Sequence, residues 1–161
     1  MSFEIEYFVR EETHAVATWR NVLLIESRLE SPASAAAFMR KAASELRRKY
    51  PDGFGHFTIV ESGCKSPSAD ARAGAASVLD EYGDVIRGAV IVFLGGGLRG
   101  AFVRAVVASM MTLSRSQHRV PQEICPSVGE GVRWLAQRVP GVDARALTNV
   151  VEALRKSNDA K

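Results

Sequence analysis

The sequence predicts one α/β domain, a single mixed and mostly parallel β-sheet packed with helices. Three observations carry this. Strand-like apolar runs and helix-like runs alternate along the chain. The run 89–94 is apolar at every position, as a strand covered on both faces must be. The last two helical runs carry explicit start signals at Ser127 and Asp143. A chain of 161 residues with a 47% apolar fraction is long enough to close one core around such a sheet.

Residues 3–8 alternate apolar and charged, the period of a half-buried strand, and Glu11 and Glu12 form the following turn. Residues 14–19 and 22–25 are the next two strands, with Asn21 at a bulge or hairpin turn between them. Ser31 and Pro32 suit the cap and first position of a helix. Its inner face is Phe38, Met39, Ala42, Leu46 and Tyr50, and Pro51-Asp52-Gly53 stops it. Residues 56–60 form a strand. After Ser66-Pro67 a second helix begins near Ser68, with Ala71, Ala75, Val78 or Leu79, and Tyr82 inward.

Gly95-Gly96-Gly97 turns the chain after the run 89–94, and 101–115 reads as a largely buried helix starting near Gly100. A short strand, 120–125, follows. Ser127 with Glu130 is a capping box ahead of Val132, Trp134, Leu135 and Val139. Asp143 caps the last helix, with Val142 and Leu147 as its hydrophobic staple. The order is β-β-(β)-α-β-α-β-α-β-α-α, one domain over residues 1–155 with a flexible polar tail, 156–161.

The charge pattern narrows the function. A net charge of +3 is small, and its densest stretch (Arg40, Lys41, Arg47, Arg48, Lys49) lacks interleaved aromatics. It therefore reads as a solvated helix face and not as a nucleic-acid site. The apolar stretches are too short to cross a bilayer, and the N-terminus lacks the basic-then-apolar pattern of a secretory signal. A cytoplasmic protein with free thiols at Cys64 and Cys125 is expected.

His14, His56 and His118 have no Cys or carboxylate at ligand spacing, so neither metal nor cofactor is expected. Residues 95–100 formally satisfy G-x-G-x-x-G. The acidic residue wanted about twenty positions on is replaced by His118-Arg119-Val120, which leaves a tight strand-to-helix turn. Gly63-Cys64-Lys65-Ser66 lacks the glycine that a phosphate-binding P-loop needs before its lysine.

Three places carry a family resemblance, spanning about residues 3–139. They are the strand 57–60 running into Glu61-Ser62-Gly63, the strand 90–94 entering a glycine-led helix, and the closing strand followed by Ser127, Glu130, Trp134 and Leu135. This arrangement resembles the STAS domain of anti-sigma-factor antagonists and STAS-like proteins. The resemblance implies a non-enzymatic protein-binding module, often working by partner switching under phosphorylation. The family's control loop is Asp-Ser-Ser or Asp-Ser-Thr, phosphorylated on the second hydroxyl. Ser62 matches the first hydroxyl position, but Gly63 stands at the second. Ser66 or Ser68 is then the nearest hydroxyl at a helix N-terminus, where N-capping already accounts for a serine.

The expected function is thus a regulatory or adaptor module without turnover. Its partner face is Ser62, Lys65, Ser66 and Ser68 together with Gly97, Arg99 and Arg104, on loops leaving the carboxyl ends of parallel strands. Helix N-termini and Lys65 make this end electropositive, which suits an acidic or phosphorylated protein surface. The apolar helix, with Met110 and Met111, offers a side to a second copy, giving a homodimer. Two alternatives stand beside this. A small hydrophobic-ligand or lipid carrier would use helix 101–113 as a pocket wall, and a closed apolar cavity would favour it. A thiol-dependent enzyme would use Cys64, and a histidine within hydrogen-bond reach of that thiol would favour it.

Overall fold

The computed structural model describes residues 4–97, 100–101, 103–105, 107–108 and 120–157. Six strands form one sheet in sequential order: β1 (Glu6–Arg10), β2 (His14–Trp19), β3 (Val22–Ser27), β4 (Phe54–Val60), β5 (Ile86–Phe93) and β6 (Gln122–Cys125). The pairs β1–β2 and β2–β3 are antiparallel, and the three pairs from β3 to β6 are parallel. The sheet is therefore mixed and mostly parallel, as the alternation of runs predicts.

Each parallel pair needs a crossover. α1 (Ala35–Lys49) and α2 (Ala69–Tyr82) supply the first two, and helical positions 97, 100–101, 103–105 and 107–108 (α3) lie in the third. Because the strand order advances one way, right-handed crossovers put all three on the same face. α4 (Val128–Ala136) and α5 (Ala144–Lys156) follow the last strand and cover the other face. Period two divides the strands between the layers. On β4, Phe57 and Ile59 pack with Val132, Leu135 and Leu147, while His56, Thr58 and Val60 look toward α1 and α2.

The cap signals land where the sequence puts them. The side chains of Ser68, Ser127 and Asp143 accept from the backbone N–H groups of Ala71, Glu130 and Ala146 at 3.1, 3.3 and 2.8 Å. Asn21 lies in a two-residue hairpin turn with Arg20, whose φ of 49° is left-handed, and Asn21 Nδ2 donates to the Pro140 carbonyl at 3.0 Å.

Elsewhere the boundaries move for identifiable reasons. β1 is shifted to Glu6–Arg10 and carries a bulge between Tyr7 and Val9. β3 runs past Ile25 to Ser27, because Glu26 is fully buried and meets Arg28 Nε at 3.1 Å instead of ending the strand. β5 starts at Ile86, with Arg87 exposed and Gly88 beneath Trp134, where a Cβ would stand 3.0 Å from the indole. α1 begins at Ala35 and not at Pro32. Ser31 Oγ donates to Ser27 Oγ at 2.8 Å, so it is not the cap, and residues 32–35 form a turn closed by the Ala35 N–H on the Pro32 carbonyl. α5 continues through Lys156, so the helix enters the stretch read as a tail.

The basic side of α1 meets acidic neighbours: Arg40 with Glu81, Arg47 with Asp84, and Lys49 with Glu6. That is the behaviour of a solvated helix face. No described helix is long and apolar enough to cross a membrane.

Candidate functional site: a cavity between the sheet and helices α1 to α3

The centre of a parallel sheet should be its most buried part, yet Thr58, Val60 and Ile91 on the inner strands β4 and β5 are each only partly buried, as is Ile124 on the edge strand β6. They share the face toward α1–α3, and the register sets Thr58 beside Ile91 and Ile91 beside Ile124. The helices above are small at the contact: Ala35 and Ala36 on α1, Ala71, Ala75 and Ala76 on α2. Gly74 lets the two helices lean on each other, since a Cβ there would stand 2.9 Å from Ala36 Cβ. The helices thus bridge the sheet without filling the space below. The result is a cavity of about 170 Å³, with Val103 and Val107 of α3 in its wall.

Most of the lining is apolar, with polar groups at two levels. At the outer level, His14 pairs with Ser27, and Ser27 with Val60. His14 is 6% exposed, its Nδ1 lies 2.9 Å from Thr13 Oγ1, and its Nε2 is buried with no hydrogen-bond partner. At the inner level, His56 and Gln122 flank Ala89 on adjacent strands. His56 is 9% exposed, and its Nδ1 is likewise buried and unpartnered. Four residues separate His56 from Val60 on β4, which is about 13 Å of strand.

Burial holds the His56 imidazole well below its ordinary range, at about 4, so the ring is neutral at physiological pH. Burial also lowers His14, opposed in part by the nearby charges of Glu11 and Glu30. The cavity therefore offers neutral hydrogen-bonding groups in an apolar wall. Lys65 and Arg72 stand at its exposed rim, with Arg72 Nη1 donating to the Pro67 carbonyl at 3.1 Å.

The sequence-derived partner face falls on the same end of the molecule. β4 and β5 are neighbours, Val60 pairs with Phe93, and the loop 61–68 and the turn at Gly95 leave their adjacent carboxyl ends. Ser62, Lys65, Ser66 and Ser68 are exposed, as is Gly97, whose φ is 73°. Ser68 is spent on its cap. Arg104 is half-buried and turned back, Nη1 donating to the Gly95 carbonyl at 2.9 Å. Gly100 makes this turn close: a Cβ there would stand 2.1 Å from the Gly95 oxygen. Arg99, Met110 and Met111 lie outside the described residues.

Cys64 is buried in the cavity wall, its thiol donating to the Lys65 carbonyl at 3.4 Å. Cys125 belongs to the core on the opposite face, where burial, then Glu123 and Glu130, push its thiol up. No disulfide joins the two.

The sequence pattern weighs His14 and His56 as metal ligands or thiol partners and does not place them in a binding pocket. Their signal was there: along β4 the residues Phe57 and Ile59 are purely apolar, while the alternate set contains His56 and Thr58. A strand whose second face is part polar yet lies under a crossover helix marks a polar pocket. Comparisons of the chain with known protein families, with curated proteins and with solved structures find no match.

Proposed function

We propose that this chain is a non-enzymatic binding domain that takes a small, mainly apolar ligand in the cavity between the sheet and α1–α3. The observation that carries the reading is the pair of histidines, each more than nine-tenths buried, with a ring nitrogen of each left unpartnered in a mainly apolar space. A buried polar atom without a partner costs about 1–3 kcal/mol, and a ligand that satisfies it recovers that cost on binding. Lys65 and Pro67, from the loop 61–68, stand at the rim.

The STAS-like reading remains as a second one, favoured by the exposed Ser62, Lys65 and Ser66 beside the exposed Gly96 and Gly97. On that reading the rim is also the docking face for an acidic or phosphorylated protein, so occupancy of the cavity and docking share one surface.

The test is a fragment screen read by thermal shift and by ligand-observed NMR, on the wild type and on Ala71→Met. Ala71 lies in the cavity wall and is nearly buried, so the longer side chain fills the void. Apolar single-ring fragments are expected to raise the melting temperature of the wild type and to lose that effect in the variant. A wild type that binds none of them overturns the reading.

A further inference from the structure

We infer that the cavity's ligand is an uncharged amphiphile: an apolar body of about six to eight heavy atoms carrying a hydroxyl that reaches His56 at the inner end. This rests on the ligand-binding reading above and adds the chemistry of the ligand. Size comes first. The cavity is about 170 Å³, and an engineered apolar cavity of about 150 Å³ in another protein accepts benzene. A single ring or a six-carbon chain is therefore of the right bulk, and a full-length lipid tail is not.

Polarity comes second. His56 Nδ1 is buried and unpartnered on the inner row of the sheet, across Ala89 from Gln122. A neutral imidazole presents one donor and one acceptor, and which nitrogen carries the proton depends on its surroundings. A hydroxyl both donates and accepts, so it satisfies Nδ1 in either tautomer.

Charge comes third. An anion at the inner end would be buried without a counter-ion, because burial keeps His56 neutral. Lys65 and Arg72 are exposed at the rim, in the chain that follows the carboxyl end of β4, whereas His56 lies four positions back along that strand from Val60. A ligand cation would meet the same desolvation cost, with no carboxylate among the described lining residues. Water can also satisfy a buried ring nitrogen, so the experiment must separate water from an organic hydroxyl.

The probes are 1-hexanol, hexanoate, hexylammonium and benzene, each titrated at pH 7 into the full chain, with the ring signals of His56 followed by NMR. Hexanol is expected to bind and to shift those signals, and hexanoate and hexylammonium to bind at least tenfold more weakly. In His56→Leu, hexanol should weaken by about tenfold while benzene holds. If hexanoate or hexylammonium binds as well as hexanol, the uncharged chemistry is overturned and ligand binding stands. Hexanol that binds with the wild-type His56 signals unmoved leaves that ring to water and overturns the assignment, whether or not the variant folds. If none of the four binds, the cavity takes no ligand of this kind and both readings fall.

Discussion

The two faces of the sheet are built from the same strands and differ in how completely they are packed. Toward α4 and α5, Phe57, Ile59, Leu135, Leu147 and Leu154 are all fully buried and form one filled core. Toward α1–α3, Leu23, Leu46, Phe54 and Val78 fill one end, but at the other alanines face a threonine, an isoleucine and two histidines, and about 170 Å³ stays open. The difference is one of side-chain volume, not of topology. Period two lets each strand serve both purposes at once, because neighbouring residues answer to different layers. Both faces carry a buried core, and the α1–α3 face gives up part of its packing to keep a cavity.

The largest effect that tests this contrast is a truncation on each side. Leu135→Ala removes a side chain at 0% exposure and should cost about 3 kcal/mol in urea unfolding. Ile91→Ala, on the hollow face, removes atoms that already border open space and should cost no more than about half as much. Equal losses would mean that the second face is as tightly packed as the first.

A similar magnitude is expected from acid. Unfolded His56 takes up a proton below about pH 6.5 and the folded protein only below about 4. Between those values the unfolded state holds more protons, so stability is full above pH 6.5 and falls as pH drops toward 4. The difference corresponds to about 3 kcal/mol. His14, also lowered, acts in the same direction. Unfolding measured across this window should flatten in His56→Leu, and a slope unchanged by that substitution breaks the link between the cavity and pH.

The smallest effect is an added methyl on the filled side. A Cβ at Gly131 would stand 2.5 Å from Val92 Cγ2 and 3.4 Å from Phe57. Gly131→Ala should therefore destabilise by about 1–2 kcal/mol despite its better helix propensity. A stabilised variant would show slack where the core is held to be full.

What was legible in the sequence was whatever one segment decides alone. Ser127 and Asp143 cap because their own next residues supply the N–H groups. The strand over 86–93 announces itself by composition, though Arg87 and Gly88 hid its start. Ser31 misled because its hydroxyl had a better partner in Ser27, set beside it by the end of β3. Glu26 misled because the arginine that answers it stands two residues on and reads from sequence as loop. The cavity was illegible for a deeper reason. It is made by what α1, α2 and the sheet jointly omit, and an omission across three elements has no local pattern. Only the His56–Thr58 alternation on β4 pointed to it.

The segment 61–65, which leads from β4 to the rim of the cavity, is tied down at both its ends. Glu61 receives Arg155 in two bonds, at 2.6 and 3.0 Å, and the Arg155 carbonyl in turn accepts from Arg28 at 2.7 Å. The Glu61 and Lys65 N–H groups donate to the Ser27 and Leu29 carbonyls, each at 2.9 Å. A segment held by backbone bonds and a two-pronged ion pair has already given up its freedom before any guest arrives. Ordering entropy is then a small part of the cost of capture, and the entrance is shaped in advance. The same economy holds where α1 meets α2, since Gly74 lets the helices touch at Ala36 with no side chain left to order on binding.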